Sequence, residues 1–160
     1  MGRNGEQGST PGRADLLVFI GSHDRTLDDK GRLVLPTNYR RDFDDAGGGV
    51  LAPWDRCIAL WTRTEFPNVM AEVKAKVRNE DADDDIVRLF QSRAADVQLD
   101  SQGRFVLPEG HRHHAGISRD VKVLGQGERI EIWDLGAFEQ LEGDKSPEDL
   151  SAEIRRLRIF

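Results

Sequence analysis

The chain has 160 residues, 38% hydrophobic and 32% charged, with a formal net charge of −6. This length buries one compact core or two small intertwined ones, and the acid excess excludes a protein that coats nucleic acid indiscriminately, because such binding rests on a net positive field. The longest apolar run, Leu16 to Ile20, is too short to cross a bilayer, and the residues before it lack a signal peptide's apolar region, so a cytoplasmic protein with no membrane partner is expected.

Residues 1–15, rich in Gly and Ser and without periodicity, read as a disordered tail. Next comes LDDKGRLVLP over residues 27–36, and it returns as LDSQGRFVLP over 99–108, a shift of 72. The same shift places Asp24 on Asp96, Arg40 on Arg112, Ile58 on Ile130, Trp61 on Trp133 and Phe66 on Phe138. Two copies of one unit are therefore expected, over 22–69 and 94–141, with a connector at 70–93 and a C-terminal segment at 142–160.

In the first copy, FIGSHDRTL predicts an approach strand, DDKG a tight turn and RLVLP a return strand, the three together forming a hairpin. Gly31 suits the positive φ of a short bulged loop, and Asp28 can accept from the turn's own amides. Pro36 ends the strand, and TNYRRDF begins a short helix with Thr37 as a candidate cap. Two further strands are expected in GVLAPWDRCIALWT. Cys57, the only cysteine, excludes an internal disulfide or a cysteine-based zinc site within one chain, and its apolar setting suits a buried structural thiol.

In the connector, Phe66, Val69, Met70, Val73 and Val77 recur at helical spacing, and Ile86, Leu89 and Phe90 form a second short stripe, with Thr64 or Asp85 as candidate caps. The acids at 80–85 between them suit a solvated turn. The second copy repeats the grammar: Gly103 in the turn, a helix in LPEGHRHHAGI ending at Gly116, then two strands in VKVLGQGERIEIWD. His111, His113 and His114 lack a carboxylate or cysteine at ligand spacing, so a solvated helix is favoured over a metal site. The tail DLSAEIRRLRIF carries Leu150, Ile154, Leu157 and Phe160 as a weak stripe, suited to a partner-binding or subunit-contact helix.

Function is sought where charge is concentrated. Between His23 and Arg41, Arg25, Lys30, Arg32, Arg40 and Arg41 face Asp24, Asp28 and Asp29, a net +2 inside an acidic chain. A two-stranded ribbon fits the major groove of DNA, and arginine reads guanine or grips phosphate through two donors at once. The candidate DNA contacts are Arg32, Lys30, Arg104, Arg25, Arg40 and Arg41, and the turn residues that shape the tips are Asp28, Gly31, Asp100 and Gly103. The alternative for Arg32 and Arg104 is a surface ion pair with a neighbouring acid, and Arg112 suits a structural role. Trp61 and Trp133 end apolar strands and suit a core. No phosphate-binding glycine loop or nucleophile elbow is present, so no enzyme, cofactor or small-molecule substrate is expected.

The repeated Asp-x-x-Gly-Arg-x-x-Leu-Pro hairpin resembles the SpoVT/AbrB type of DNA-binding unit. Its duplication around a helical segment, from about Phe19 to Gln140, resembles the MraZ family of bacterial transcriptional regulators. The resemblance implies an α+β, mainly β fold in which two AbrB-like halves form a swapped-hairpin β-barrel, with helices between and after the repeats. It places the family's Asp-x-x-x-Arg motif on Asp28 to Arg32 and on Asp100 to Arg104. It also implies a DNA-binding repressor of its own operon in the division and cell-wall gene cluster, acting at the nucleoid on short direct repeats in double-stranded promoter DNA, and a homo-oligomer forming a closed ring. An antitoxin-like module that binds a partner protein through its C-terminal segment is the rival within the same superfamily. The first turn carries Lys30 where the second has Ser101 and Gln102, so the first copy is expected to contribute more affinity.

Overall fold

Strands and helices alternate twice in the same order. In a computed structural model, which describes residues 17–158, the first round comprises β1 (Ser22–Thr26), β2 (Arg32–Val34), α1 (Thr37–Asp45), β3 (Gly49–Trp54) and β4 (Cys57–Thr62). Helices α2 (Phe66–Asn79) and α3 (Asp85–Ser92) follow. The second round comprises β5 (Ala95–Val97), β6 (Arg104–Val106), α4 (Glu109–Ala115), β7 (Asp120–Gly125) and β8 (Ile130–Asp134), and α5 (Leu135–Asp144) and α6 (Pro147–Arg156) end the chain. The tail expected over 1–15, and the Phe160 end of the C-terminal stripe, lie outside the described residues.

The class is α+β with a mostly antiparallel sheet in the order β1-β7-β8-β4-β3-β5, beside a two-stranded ribbon of β2 and β6. Strands β1 and β5 stand at opposite edges, so the six-stranded sheet is open and does not close into the expected barrel. The two arms of each expected hairpin also pair elsewhere. Strand β1 runs against β7, with Asp24 opposite Lys122, and β2 runs against β6, with Leu33 opposite Phe105.

The physical reason is burial. A three-residue strand offers too few ladder bonds to hold a hairpin alone. Crossing between the copies buries Leu33, Leu35, Phe105 and Leu107 in one common core with Tyr39, Phe43 and Ile58. The ladder continues past the strands: Leu35 N–H donates to the Gly103 carbonyl and Leu107 N–H to the Gly31 carbonyl, both at 2.9 Å. Each copy thus completes the other.

Strand β4 is buried along its whole length because both of its faces are covered. Ile58 and Leu60 point into the common core, while Ala59 and Trp61 point the other way into a smaller aromatic cluster with Trp54, Phe66 and Phe90 from α2 and α3. Trp133 is likewise buried, so both repeated tryptophans are packing residues. Cys57 is buried too, and burial pushes its thiol well up, which leaves it inert as a nucleophile.

Helix ends partly depart from expectation. Pro36, not Thr37, occupies the cap position of α1, without a side-chain bond. Glu65 precedes α2, and the residue whose hydroxyl accepts the Glu65 N–H (3.2 Å) is Thr62 rather than Thr64. Asp85 lies inside α3, and its N–H is taken by Asp83 Oδ1 at 2.9 Å. Gly116 does end α4 in the left-handed region, at φ 67°. Short polar side chains next to a helix start compete for the same amide, and only the chain's exit angle decides which one reaches it.

Candidate nucleic-acid interface

Each turn is built around one carboxylate. Asp28 Oδ1 accepts the backbone N–H of Lys30 at 2.9 Å and of Arg32 at 2.8 Å, while Oδ2 accepts Arg32 Nε at 2.6 Å. In the second turn Asp100 does the same for Gln102, Arg104 and Arg104 Nε, at 2.9, 2.9 and 2.8 Å. Gly31 and Gly103 sit at φ 74° and 75°, a region that side chains with a Cβ rarely adopt, which lets Gly31 N–H and Gly103 N–H close back on the Asp28 and Asp100 carbonyls.

The arginines therefore do not project freely from the tips. Arg32 and Arg104 fold back on their own aspartates, with side chains 29% and 26% exposed. Their Nε atoms are committed, and no partner among the described residues takes their terminal guanidinium nitrogens. The ion pair and an outward donor face coexist in one side chain.

The ribbon register sets what else that face shows. Arg32 lies opposite Val106, and Val34 opposite Arg104. Since neighbours on a strand alternate between faces, Leu33 and Phe105 fill the buried side, and the outer side carries two arginines on one diagonal and two valines on the other. Val34 and Val106 are among the exposed large apolar side chains.

Helix residues one turn on are less exposed than expected. Arg40 donates Nε to the Leu35 carbonyl at 2.8 Å and packs on Gly103 of the other copy, where any Cβ would collide with its side chain. Arg112, its counterpart, donates Nε to the Leu107 carbonyl at 3.1 Å and lies on Gly31, 3.5 Å from where a Cβ would stand. Arg40 is thus placed between the copies rather than free on the surface, and the arginine expected to be structural is its equivalent. Arg41 is exposed beside Asp45, Lys30 is exposed at the first tip, and Arg25 is half-buried on β1 with Nη1 bonded to the Asp24 carbonyl.

Arg119 went unnoticed in the sequence. It leads into β7 and faces Asp29 of the first turn at 3.8 Å, and its carbonyl accepts the Leu27 N–H. Only the exchange of strands brings it there, and the 72-residue shift places Gly47 at the matching position of the first copy, so the second turn has no equivalent. The alignment of Arg40 with Arg112 was the signal available for the other pair.

His113 and His114 lie on the exposed side of α4, as expected of a solvated helix face, and only His111 departs from it. His111 is buried, with Nε2 unpaired, and His114 Nε2 donates to the Asp55 carbonyl at 2.8 Å. Among the described residues no three His, Cys, Asp or Glu side chains cluster in a way that could hold a metal ion, and no helix is long and apolar enough to cross a membrane.

Protonation couples to this geometry. The Arg32 and Arg104 backbone N–H bonds, helped by the guanidinium bonds, hold Asp28 and Asp100 below the usual carboxylate range against a smaller desolvation effect. Burial lowers His111. For a lowered folded pKa, stability is fully present above the unfolded value and is lost as pH falls. The urea midpoint should therefore begin to drop below about pH 6.5, where unfolded histidine takes a proton, and drop again below about pH 3.9 as the aspartates are forced to protonate. In His111→Gln the first step should vanish, and a midpoint flat down to pH 4 in the unsubstituted protein would contradict this account.

Fold and turns together define an interlocked, duplicated α+β protein that presents a two-stranded ribbon flanked by two Asp–Gly–Arg turns. The family described as "MraZ protein, putative antitoxin-like" matches residues 18–89 and again 90–158. The chain belongs to the MraZ family. Similar curated proteins include Transcriptional regulator MraZ of Paenarthrobacter aurescens (strain TC1), 34% identical over 80% of this chain and 89% of that protein. The protein of the same name from Clavibacter michiganensis is 37% identical over 77% and 85%, and that from Kineococcus radiotolerans 37% identical over 81% and 90%.

Proposed function

We propose that this chain is a sequence-specific DNA-binding transcriptional regulator that lays the β2–β6 ribbon into the major groove. The names of its relatives support the regulator, and the outer face of the ribbon is the observation that carries the mode of binding. Arg32 and Arg104, each steered by its aspartate, offer paired donors to guanine edges or phosphates, while Val34 and Val106 offer apolar contact to thymine methyl groups. Lys30, Arg25 and Arg41 add phosphate contacts around the first turn, and Arg119 stands beside them.

The family resemblance supplies the finer reading. The chain acts as a repressor of its own operon in the division and cell-wall gene cluster, on short direct repeats of the promoter. Residues 22–69 and 94–141 are its two SpoVT/AbrB-like units, interlocked by exchanged return strands, with 70–93 as connector. Copies of the chain form a closed ring, so that several ribbons meet several repeats and avidity replaces strong single contacts. The acidic surface at 80–85 keeps other faces off DNA.

The test is retardation of a fragment from upstream of the protein's own gene. Log affinity should fall linearly with log salt, by about 0.9 per phosphate contacted, and a fragment with scrambled repeats should bind far more weakly. Equal binding to both fragments would remove the sequence-specific reading.

A further inference from the structure

Two helices of this protein each leave an apolar face uncovered. No residue of α3 or α6 is buried, and four exposed large apolar side chains fall on them: Ile86 and Leu89 on α3 (49% and 51% exposed), Leu150 on α6 and Leu157 at its C-terminal end (52% and 60%). Helix α6 is nonetheless well made. Ser146 and Asp149 form a reciprocal capping box, with Pro147 in the first turn. A capped amphipathic helix with its stripe in water is built to be covered.

The surface that α3 offers is concave. It forms one wall of an open groove of about 790 Å³, with α4 and Pro53 as the remainder, lined by Ile86, Leu89, Phe90, Arg93 and His113. The charge order along both helices is the same. Asp83, Asp84 and Asp85 open α3 and Arg93 follows its end, while Glu148 and Asp149 open α6 and Arg155 and Arg156 close it. Laid antiparallel, the acidic start of each helix meets the basic end of the other, whereas a parallel arrangement sets like charges together. The lengths agree as well: Leu150 to Leu157 and Ile86 to Arg93 each span seven residue steps, about 10 Å of helix.

We infer that α6 of one copy docks antiparallel to α3 in the α3–α4 groove of a second copy of this chain. The stripe Leu150, Ile154 and Leu157 covers Ile86, Leu89 and Phe90. Giver and receiver are different surfaces of one chain, so the contact is head-to-tail and each copy has one of each to offer. Such contacts propagate until they close on themselves. The inference rests on the ring reading above and assigns the surfaces that form the ring. A pairing of α6 with α6 would satisfy the same charges, yet it sets two convex stripes together and leaves the groove open.

The experiment uses the full chain and measures mass in solution by light scattering after gel filtration. Leu89→Asp spoils the groove and leaves the helix intact, while the double variant Leu150→Asp, Leu157→Asp does the reverse. Each should run at the 18.0 kDa of one chain with the far-ultraviolet circular dichroism of the unsubstituted protein. Mixed in equal amounts, they retain one intact contact between them and should give a species of twice that mass and nothing larger. If Leu89→Asp loses its helical signal, Ile86→Ser takes its place.

Other results each overturn the inference in a distinct way. An unsubstituted chain that is itself monomeric removes the ring along with the contact. An assembled chain whose variants stay assembled keeps the ring and removes these surfaces. Dissociation by the α6 variant alone points to α6–α6 pairing or another partner for the helix, and a mixture that stays monomeric denies that the two surfaces meet.

Discussion

If the ribbon binds DNA as proposed, Arg32→Ala should eliminate the retarded band on promoter DNA and leave the solution mass of the protein unchanged. One arginine that reads a base through two donors is worth about 1–3 kcal/mol of discrimination, and an assembly that engages several repeats loses that amount at every contact, so the combined loss takes binding below detection. Arg104→Ala should weaken binding less, because the first turn also holds Lys30 and Arg119 and the second holds Ser101 and Gln102 in place of the lysine. Arg32→Lys separates charge from geometry: a lysine keeps the cation but has no fork to match a guanine edge or to share Nε with Asp28. It should keep much of the salt-sensitive, non-specific binding and lose preference for the repeats. Undiminished affinity in the Arg32→Ala, Arg104→Ala double variant would sink the ribbon reading.

A second expected result follows from the crossed packing of the helices. Arg112 rests on the turn that carries Arg32, and Arg40 rests on the turn that carries Arg104. If these two side chains hold the turns in shape, their effects on DNA binding are coupled across the copies. Arg112→Ala should weaken binding in the unsubstituted protein and in the Arg104→Ala background, and add nothing in the Arg32→Ala background. Arg40→Ala should show the mirror pattern. Contacting residues of this kind couple by about 0.5–3 kcal/mol, measurable by anisotropy on a short probe at low salt, where residual binding survives. Direct phosphate contacts by Arg40 and Arg112 would instead give independent losses in every background and lower the salt slope by about 0.9 each. The crossed pattern also distinguishes turn support from general destabilisation, which would act alike in both backgrounds.

Much of the candidate site's turn geometry is legible in the sequence, and the reason is locality. The Asp28 and Asp100 turns are made by hydrogen bonds over two to four residues, so Asp, Gly and Arg at fixed spacing suffice to write them. The helices over 66–79 and 85–92 were visible in the 3.6-residue spacing of Val69, Val73, Val77 and of Ile86, Phe90 for the same reason. Not legible was which strand pairs with which when the partner is remote in the chain. A hairpin within each copy is the local reading of FIGSHDRTLDDKGRLVLP, yet β1 pairs with β7, where Asp24 meets Lys122, and β2 pairs with β6, where Leu33 meets Phe105, each partner lying in the other copy. Candidate caps at Thr37, Thr64 and Asp85 were off by one or two residues because several polar side chains near a helix start can serve, and only the path of the chain selects one.

The amino-acid sequence by itself determined the duplication, the two Asp–Gly–Arg turns, the helical stripes and the membership that the family match then established, all of them properties of short range or of repetition. The tertiary structure decided which strand completes which turn, that Arg40 and Arg112 lie across the copies, that Arg119 stands at the first turn, and that Arg32 and Val106 share an exposed face while Leu33 and Phe105 are buried. Those choices are made by apolar burial. Leu33 and Phe105 lose water only when the two copies interlock, and no rule of local spacing says which of several apolar strands will meet to exclude it.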